Sequence, residues 1–328
     1  MAKVGGIDIL KNSINEIKEA INNNDKLEDK LHCITVISNP CQYARRYVLA
    51  NEFILRMETE KNIILYVVEL AYKGQKYYVT DANNPRHLRL YTETDPLWHK
   101  ENMINIGVRK LLPETWKAFA WIDADIEFEN TSWASDTLKI LNGSRDIVQL
   151  FSHCCDMNRE EFTMNVFSSF GYQYTKKKTY QNGSGPNYWH PGYAWAMTRT
   201  LYEKIGGLYQ LSILGSGDYY MALSVINIVP LSLISNNCPT YPLSIKAFLD
   251  KIYGARLGYV PGIIRHHFHG TKENRKYNDR FKILAQYQYD PTNHVTINSD
   301  GLLIPTSKCP QGLLNDILQL FKDTKEDD

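Results

Sequence analysis

The chain has 328 residues, with 37 Lys plus Arg against 36 Asp plus Glu, a net charge of +1. That balance excludes a nucleic-acid coat and a polybasic membrane binder, both of which need a strong positive field. Apolar residues at 43% supply a core and charged residues at 22% exclude a disordered chain, while the length fits two domains or one large α/β domain.

Residues 1–31 read as an amphipathic helix and a charged linker, because Leu10, Ile14, Ile17 and Ile21 recur at helical spacing. The opening MAKVGGIDILKNSINEIKEAI is polar and shows no apolar signal-peptide core. HCITVISNP (32–40) predicts a buried strand ending in a loop, and ARRYVLANEFILRM (44–57) has helical spacing. NIILYVVELAY (62–72) and KYYVT (76–80) read as strands, and Lys100–Leu111 as a helix. AFAWIDADIEF (118–128) starts as a buried strand and breaks into an acidic tip. This alternation predicts an α/β sheet with parallel character, whose ligands sit at the carboxyl ends of strands.

Further along, DIVQLFSH (146–153) predicts a strand and KKKTYQNGSGPN (176–187) a polar loop. TLYEKIGG (200–207) predicts a short helix capped by glycine. Tyr219–Ile245 carries no charge, but Asn227, Pro230, Asn236 and Asn237 interrupt it, so it reads as a buried strand–loop–strand and not as a membrane span. GYVPGIIRHHFHG (258–270) is a strand ending in histidines, and LLNDILQLFK (313–322) is an amphipathic helix before the acidic tail TKEDD. Six cysteines (33, 41, 154, 155, 238, 309) without a C-x-x-C pair imply reduced thiols and a cytoplasmic setting. The wealth of Asn, Lys and Ile, which have AT-rich codons, fits a viral genome.

Four constellations carry chemistry. Asp123 and Asp125 directly follow a buried run, where ionised carboxylates need a reason; two of them suit a hard cation such as Mg²⁺ or Mn²⁺ that bridges to phosphates. The plainer reading is an acidic surface turn. His266, His267 and His269, with Lys272 and Arg275 behind them, offer a further ligand and bases for a diphosphate; singly, each reads better as a solvated histidine. Asp218, between Gly217 and an apolar run, is a candidate general base or simply a helix N-cap. Tyr188–Trp195 offers aromatic faces to a sugar or packs in a core, and on this segment alone core packing wins. The six Trp all fall between 98 and 195. Four of them bracket the acidic strand as packing, leaving Trp189 and Trp195 as sugar candidates.

Taken together these pieces resemble the nucleotide-sugar glycosyltransferases of the GT-A fold, especially the inverting β-1,4-galactosyltransferase-like group and related viral and phage enzymes. KENMINIGVRKLLPETWKAFAWIDADIEF (100–128) is similar to the group's Leu-Asn-x-Gly helix, strand and D-x-D. KIGGLYQLSILGSGDYYMAL (204–223) is similar to its Asn-Gly-Phe and Gly-Trp-Gly-Gly-Glu-Asp run, with Gly-Ser-Gly-Asp in place of Gly-Gly-Glu-Asp. IIRHHFHGTKENRKYNDRF (263–281) is similar to its Ile-Arg-His, Lys-Lys-Asn and Arg-Phe segment, and TVISNP (35–40) with Arg45 and Arg46 to its first strand and basic loop.

The resemblance implies a single Rossmann-like GT-A domain with a mixed central sheet over 32–285, its nucleotide-binding half at 32–130 and its acceptor half at 131–285. Residues 1–31 precede it, and 286–328 form a C-terminal extension. It implies a metal-dependent transfer of a sugar, with inversion, from a nucleoside-diphosphate sugar such as a UDP-sugar to a glycan hydroxyl. Asp123, Asp125 and a histidine would hold Mn²⁺ or Mg²⁺. Ile-Arg-His points to His266, strand parity allows His267, and His-Gly before the basic stretch points to His269, the favoured ligand. Ser38, Asn39, Pro40, Arg45, Arg46, Lys100, Asn105, Ala124, Lys272 and Arg275 would join Asp123 and Asp125 around the donor. Asp218 would be the base, and Trp189, His190, Tyr193, Trp195 and Gly217 would meet the acceptor. The 176–187 loop would close over the donor. The alternatives are a nucleotidyltransferase, a nucleotide-sugar hydrolase and a carbohydrate-binding protein without turnover; none of them predicts a base separate from the metal site.

Overall fold

The structure is a computed structural model that describes residues 3–4, 7–9, 13–15, 27–180, 188–229, 238–271 and 273–328. At the N-terminus β1 (Lys3–Val4) and β2 (Ile7–Asp8) pair antiparallel where a helix is expected. Leu10, Ile17 and Ile21 lie outside the described residues, and Ile14 is 72% exposed.

The central sheet starts with β3 (Leu31–Ser38), α1 (Ala44–Thr59), β4 (Ile63–Tyr72), β5 (His87–Thr92), α2 (Lys100–Leu111) and β6 (Ala118–Ile122). Next come β7 (Ile126–Phe128), α3 (Trp133–Leu141), β8 (Ile147–Gln149), β9 (His153–Met157), β10 (Thr163–Ser169) and α4 (Phe170–Thr175). The chain continues through β11 (Trp189–His190), β12 (Ala194–Thr198), α5 (Arg199–Ile205), α6 (Gly217–Val225), α7 (Thr240–Ile252), β13 (Leu257–Tyr259) and β14 (Ile263–His266). It closes with α8 (Tyr277–Gln286), the hairpin β15 (Val295–Ile297) and β16 (Leu303–Pro305), and α9 (Gln311–Asp323).

Among the described residues, seven strands form the main sheet in the order β13-β8-β12-β6-β3-β4-β5. The pairs β3–β4, β3–β6, β4–β5 and β8–β13 are parallel, and β12 runs antiparallel between β6 and β8. The protein is therefore a mixed α/β fold with the expected mixed central sheet. β3, β4 and β6 read as near-continuous apolar runs because both of their faces are covered. Along β3, Ile34 enters the core that includes α2 and α6, while Leu31, Cys33 and Ile37 enter the core on the opposite face with α1 and α3. The C-terminal residues Val295, Leu303, Leu313 and Ile317 belong to the same core as Ile34. A second sheet, β11-β10-β9-β14-β7, stands at the end of the first.

Two local expectations need correction. Residues 76–80 form no strand. Glu69, buried within β4, draws them into a loop by accepting hydrogen bonds from the backbone N–H groups of Tyr78, Val79 and Thr80 and from the Thr80 hydroxyl. The uncharged stretch after Asp218 contains α6 and the start of α7, with 230–237 outside the described residues, and is not a strand–loop–strand. An α-helix buried on every side shows no apolar periodicity, so the sequence cannot be told from that of a buried strand. No disulfide joins any cysteine among the described residues. No helix among them is long and apolar enough to cross a membrane.

Candidate active site

β6 ends at Ile122, and the chain turns through Asp123, Ala124 and Asp125 before β7 changes sheets. Two backbone bonds fix the turn: Asp123 N–H donates to Tyr193 O (2.9 Å), and His267 N–H donates to Asp125 O (2.8 Å). In the second sheet β14 lies between β9 and β7, and its register sets His266 beside Asp156 and Ile126. The strand stops at His266. The chain then bends, which brings His269 back so that its Nε2 is 3.2 Å from His266 Nε2.

Asp125, His266 and His269 each direct a ligand atom to a common point, all within 4.8 Å of one another. Asp125 Oδ2 is 2.9 Å from His269 Nε2 and 3.8 Å from His266 Nε2. Asp156 Oδ1 takes His266 Nδ1 at 2.7 Å, which assigns the proton to Nδ1 and leaves the Nε2 lone pair facing Asp125. Burial alone would raise the Asp125 pKa, but the His269 bond and the charges of His266, His269 and Arg275 outweigh it and hold the carboxyl below its usual range. Its other oxygen, Oδ1, is buried without a hydrogen-bond partner. A buried, ionised, half-satisfied carboxylate beside two imidazole nitrogens fits a divalent cation.

Of the residues expected as ligands, the cluster contains Asp125 and His269. His266 stands where Asp123 was expected, since the turn breaks the strand parity and sends Asp123 to Lys100 (2.6 Å). His267, the parity candidate, faces Glu127 instead (3.5 Å).

Lys100, the first residue of α2, bridges two carboxylates: besides Asp123 it lies 3.8 Å from Asp218 Oδ2. Burial disfavours its charge, but Asp123, Asp218 and Glu101 prevail and raise its pKa. Asp123 is raised to about 6, mainly by burial, with Asp125 and Asp218 adding and Lys100 opposing. Asp218 lies in the first turn of α6, whose N-cap is Ser216 at φ 74°, so Asp218 is not the cap. Its Oδ1 accepts from Tyr219 N–H (2.9 Å).

Glu101, not anticipated from the sequence, lies beneath this group. It is 6% exposed, and burial pushes its carboxyl up to about 8 against the pull of Lys100, with Asp218 adding. A carboxyl raised in the folded state binds its proton there while the unfolded chain has lost it. Stability therefore falls as pH rises from the usual carboxylate range through about 8. Glu101→Gln should stabilise the protein by about 1–3 kcal/mol at pH 8. Its advantage in Tm over the parent should grow between pH 5 and 8; a Tm difference that stays constant across that range would show that Glu101 is ionised throughout.

The other expected residues divide. Arg46 spans Ser38 O (2.7 Å) and the carboxylate of Glu326, and Arg45 Nε donates to Phe268 O (2.9 Å), so both are committed within the chain. Arg275 Nη2 is 2.9 Å from His269 Nε2, at the cation cluster. Asn39 closes the loop after β3 through its amide and Tyr43, Pro40 O accepts from Gln75, and the Ser38 hydroxyl meets that of Tyr72 (2.8 Å). Ala124 sits in the acidic turn, and Lys272 and the loop residues 181–187 lie outside the described residues.

Asn105 does not reach a cleft. It is 2% exposed and its side chain is spent on Leu208 N–H and O, Gln210 and Tyr202, which ties α2 to the segment after α5. Trp189 (3% exposed) and Trp195 (1%) are core residues and present no sugar wall. Gly217 faces Glu101, since a Cβ there would lie 2.4 Å from its carboxyl. Tyr193 is nearly buried and has φ +80°, a left-handed conformation unusual for a side-chain-bearing residue. Its ring stacks on His190 (4.5 Å between centroids) and lies 4.7 Å from His266. His190 thus remains beside Gly192, whose missing Cβ would lie 3.3 Å from Asp218 Oδ2.

No family model and no curated protein matches the sequence. Solved structures to which the chain is similar include a Drosophila β1,4-galactosyltransferase 7 mutant in complex with manganese, UDP-Gal and xylobiose (10% identity, TM-score 0.42, covering 89% of this chain and 98% of that one). Another is the mannosyltransferase PcManGT of Pyrobaculum calidifontis with GDP-Man and Mn²⁺ (13%, TM-score 0.43, 78% and 62%). A third is a nucleotide-diphospho-sugar transferase, described as putative, from Desulfovibrio desulfuricans G20 (9%, TM-score 0.33, 90% and 98%).

Proposed function

We propose that the chain is a metal-dependent glycosyltransferase of the GT-A type that moves a sugar from a nucleoside-diphosphate sugar to a hydroxyl acceptor with inversion. The observation that carries this reading is a pair of half-sites joined by Lys100. One is the Asp125–His266–His269 cluster at the end of β6; the other is Asp218, a carboxylate on a separate helix. A nucleotidyltransferase or a nucleotide-sugar hydrolase needs the first half-site only.

Asp125, His266 and His269 would hold the cation, which supplies charge stabilisation to a leaving diphosphate when bound. Two imidazoles among the ligands favour Mn²⁺ over Mg²⁺, which prefers oxygen. Arg275 adds a fixed positive charge to the same corner. Lys100 keeps Asp123 paired and lies 3.8 Å from Asp218 Oδ2. Asp218 takes the proton of the acceptor hydroxyl, and His190 flanks the acceptor approach.

The test is release of nucleoside diphosphate by purified protein given Mn²⁺ and a panel of sugar nucleotides, with and without acceptor sugars. Acceptor-stimulated release is expected with at least one donor. The absence of both release and donor-induced thermal stabilisation across the panel would overturn the reading.

A further inference from the structure

Within the acidic tail TKEDD, Glu326 is buried, only 4% exposed. Arg46 grips Glu326 with two guanidinium nitrogens. On its other side Glu326 Oε2 faces His269 Nδ1 at 3.6 Å.

This arrangement parallels, at a longer distance and with Arg275 Nη2 also 3.5 Å from His269 Nδ1, the one at the neighbouring histidine. His266 turns Nε2 to Asp125 and Nδ1 to the buried carboxylate of Asp156. His269 turns Nε2 to Asp125 and Nδ1 to the buried carboxylate of Glu326. An imidazole that gives its Nε2 lone pair to a metal must carry its proton on Nδ1, and a buried N–H needs an acceptor. We propose that the C-terminal tail is a built part of the cation site, with Glu326 the positioning residue for His269 as Asp156 is for His266. The inference rests on the reading of the Asp125–His266–His269 cluster as a divalent-cation site.

The docking of the tail is specific. Asp327 accepts from the N–H groups of Ala44 (3.1 Å) and Arg45 (2.8 Å) at the start of α1. The Tyr43 hydroxyl donates to Lys322 O (2.7 Å) and accepts from Lys325 N–H (3.3 Å). Gly270, which closes the histidine cluster, has φ +84°, and a Cβ there would lie 2.7 Å from Thr324 O. The glycine after His269 is thus explained by the tail that passes over it. An opposing role, a plug that covers Arg46 and is displaced by an anionic donor, predicts the reverse result on removing the tail.

Mn²⁺ binding is measured by electron paramagnetic resonance on the full chain, on Glu326→Ala, on Glu326→Gln and on Asp125→Ala. Far-UV circular dichroism and melting curves serve as folding controls. Glu326→Ala should weaken Mn²⁺ binding by about 10–100-fold. Glu326→Gln keeps an acceptor oxygen at the same place and should recover most of that loss, which a purely structural contribution of the Arg46 ion pair would not allow. Wild-type affinity in Glu326→Ala, or tighter binding, overturns the tail's role, and tighter binding would identify the plug. If the parent chain itself binds no Mn²⁺, the cation-site reading fails and not the tail alone.

Discussion

Asp125→Ala should abolish Mn²⁺ binding, with affinity reduced by at least about 100-fold, or roughly 2.7 kcal/mol. Asp125 is the only anion of the cluster, and it alone faces both Nε2 atoms. Its removal also leaves His266, His269 and Arg275 together without the carboxylate that balances them. The variant should therefore melt at a lower temperature than the parent without added metal, and Mn²⁺ should no longer raise its Tm. Saturating Mn²⁺ at about 100 times Kd should stabilise the parent by about 2.7 kcal/mol. Parental Mn²⁺ affinity in Asp125→Ala would remove the metal centre from this corner of the fold.

Asp218→Asn should lower turnover by about 10²–10⁴-fold while leaving donor affinity unchanged. Asparagine has the same shape, and its side-chain oxygen can still accept from Tyr219 N–H, so the first turn of α6 is preserved. What is lost is the capacity to take a proton, together with one of the charges around Lys100. The expected signature is a fall in kcat with donor Kd held constant, read by calorimetry beside the rate of diphosphate release. Full turnover in Asp218→Asn would eliminate it as the base. A matching loss of donor binding would recast it as a donor contact acting through Lys100.

What the sequence discloses about this molecule depends on how far apart the interacting residues lie. α2 has the bounds read from the sequence, and the acidic turn is legible because two carboxylates follow a buried run. Asn105 has the pattern of a ligand, but only the tertiary contacts with Leu208 and Tyr202 disclose a scaffold residue. The choice among three histidines hangs on where β14 stops, and strand ends are set by pairing partners rather than by the strand's own residues. Asp156 pairs with a histidine 110 residues away, so no spacing rule links them. The tail's one buried residue, Glu326, pairs with Arg46, 280 residues away. Glu69 is another such case: an acidic residue inside an apolar strand whose purpose is the loop at 78–80.

The left-handed backbone of Tyr193 has a consequence for engineering. A side chain in that conformation is strained by about 1–2 kcal/mol, and glycine would relax it. The same ring is the spacer between His190 and His266, and its carbonyl anchors Asp123. A screen for thermal robustness alone would therefore favour glycine at this position and, with the backbone relieved, discard the clamp on the histidine. Here the interests of folding and of function diverge at one residue, and selection for heat tolerance would be expected to trade away the alignment of the centre.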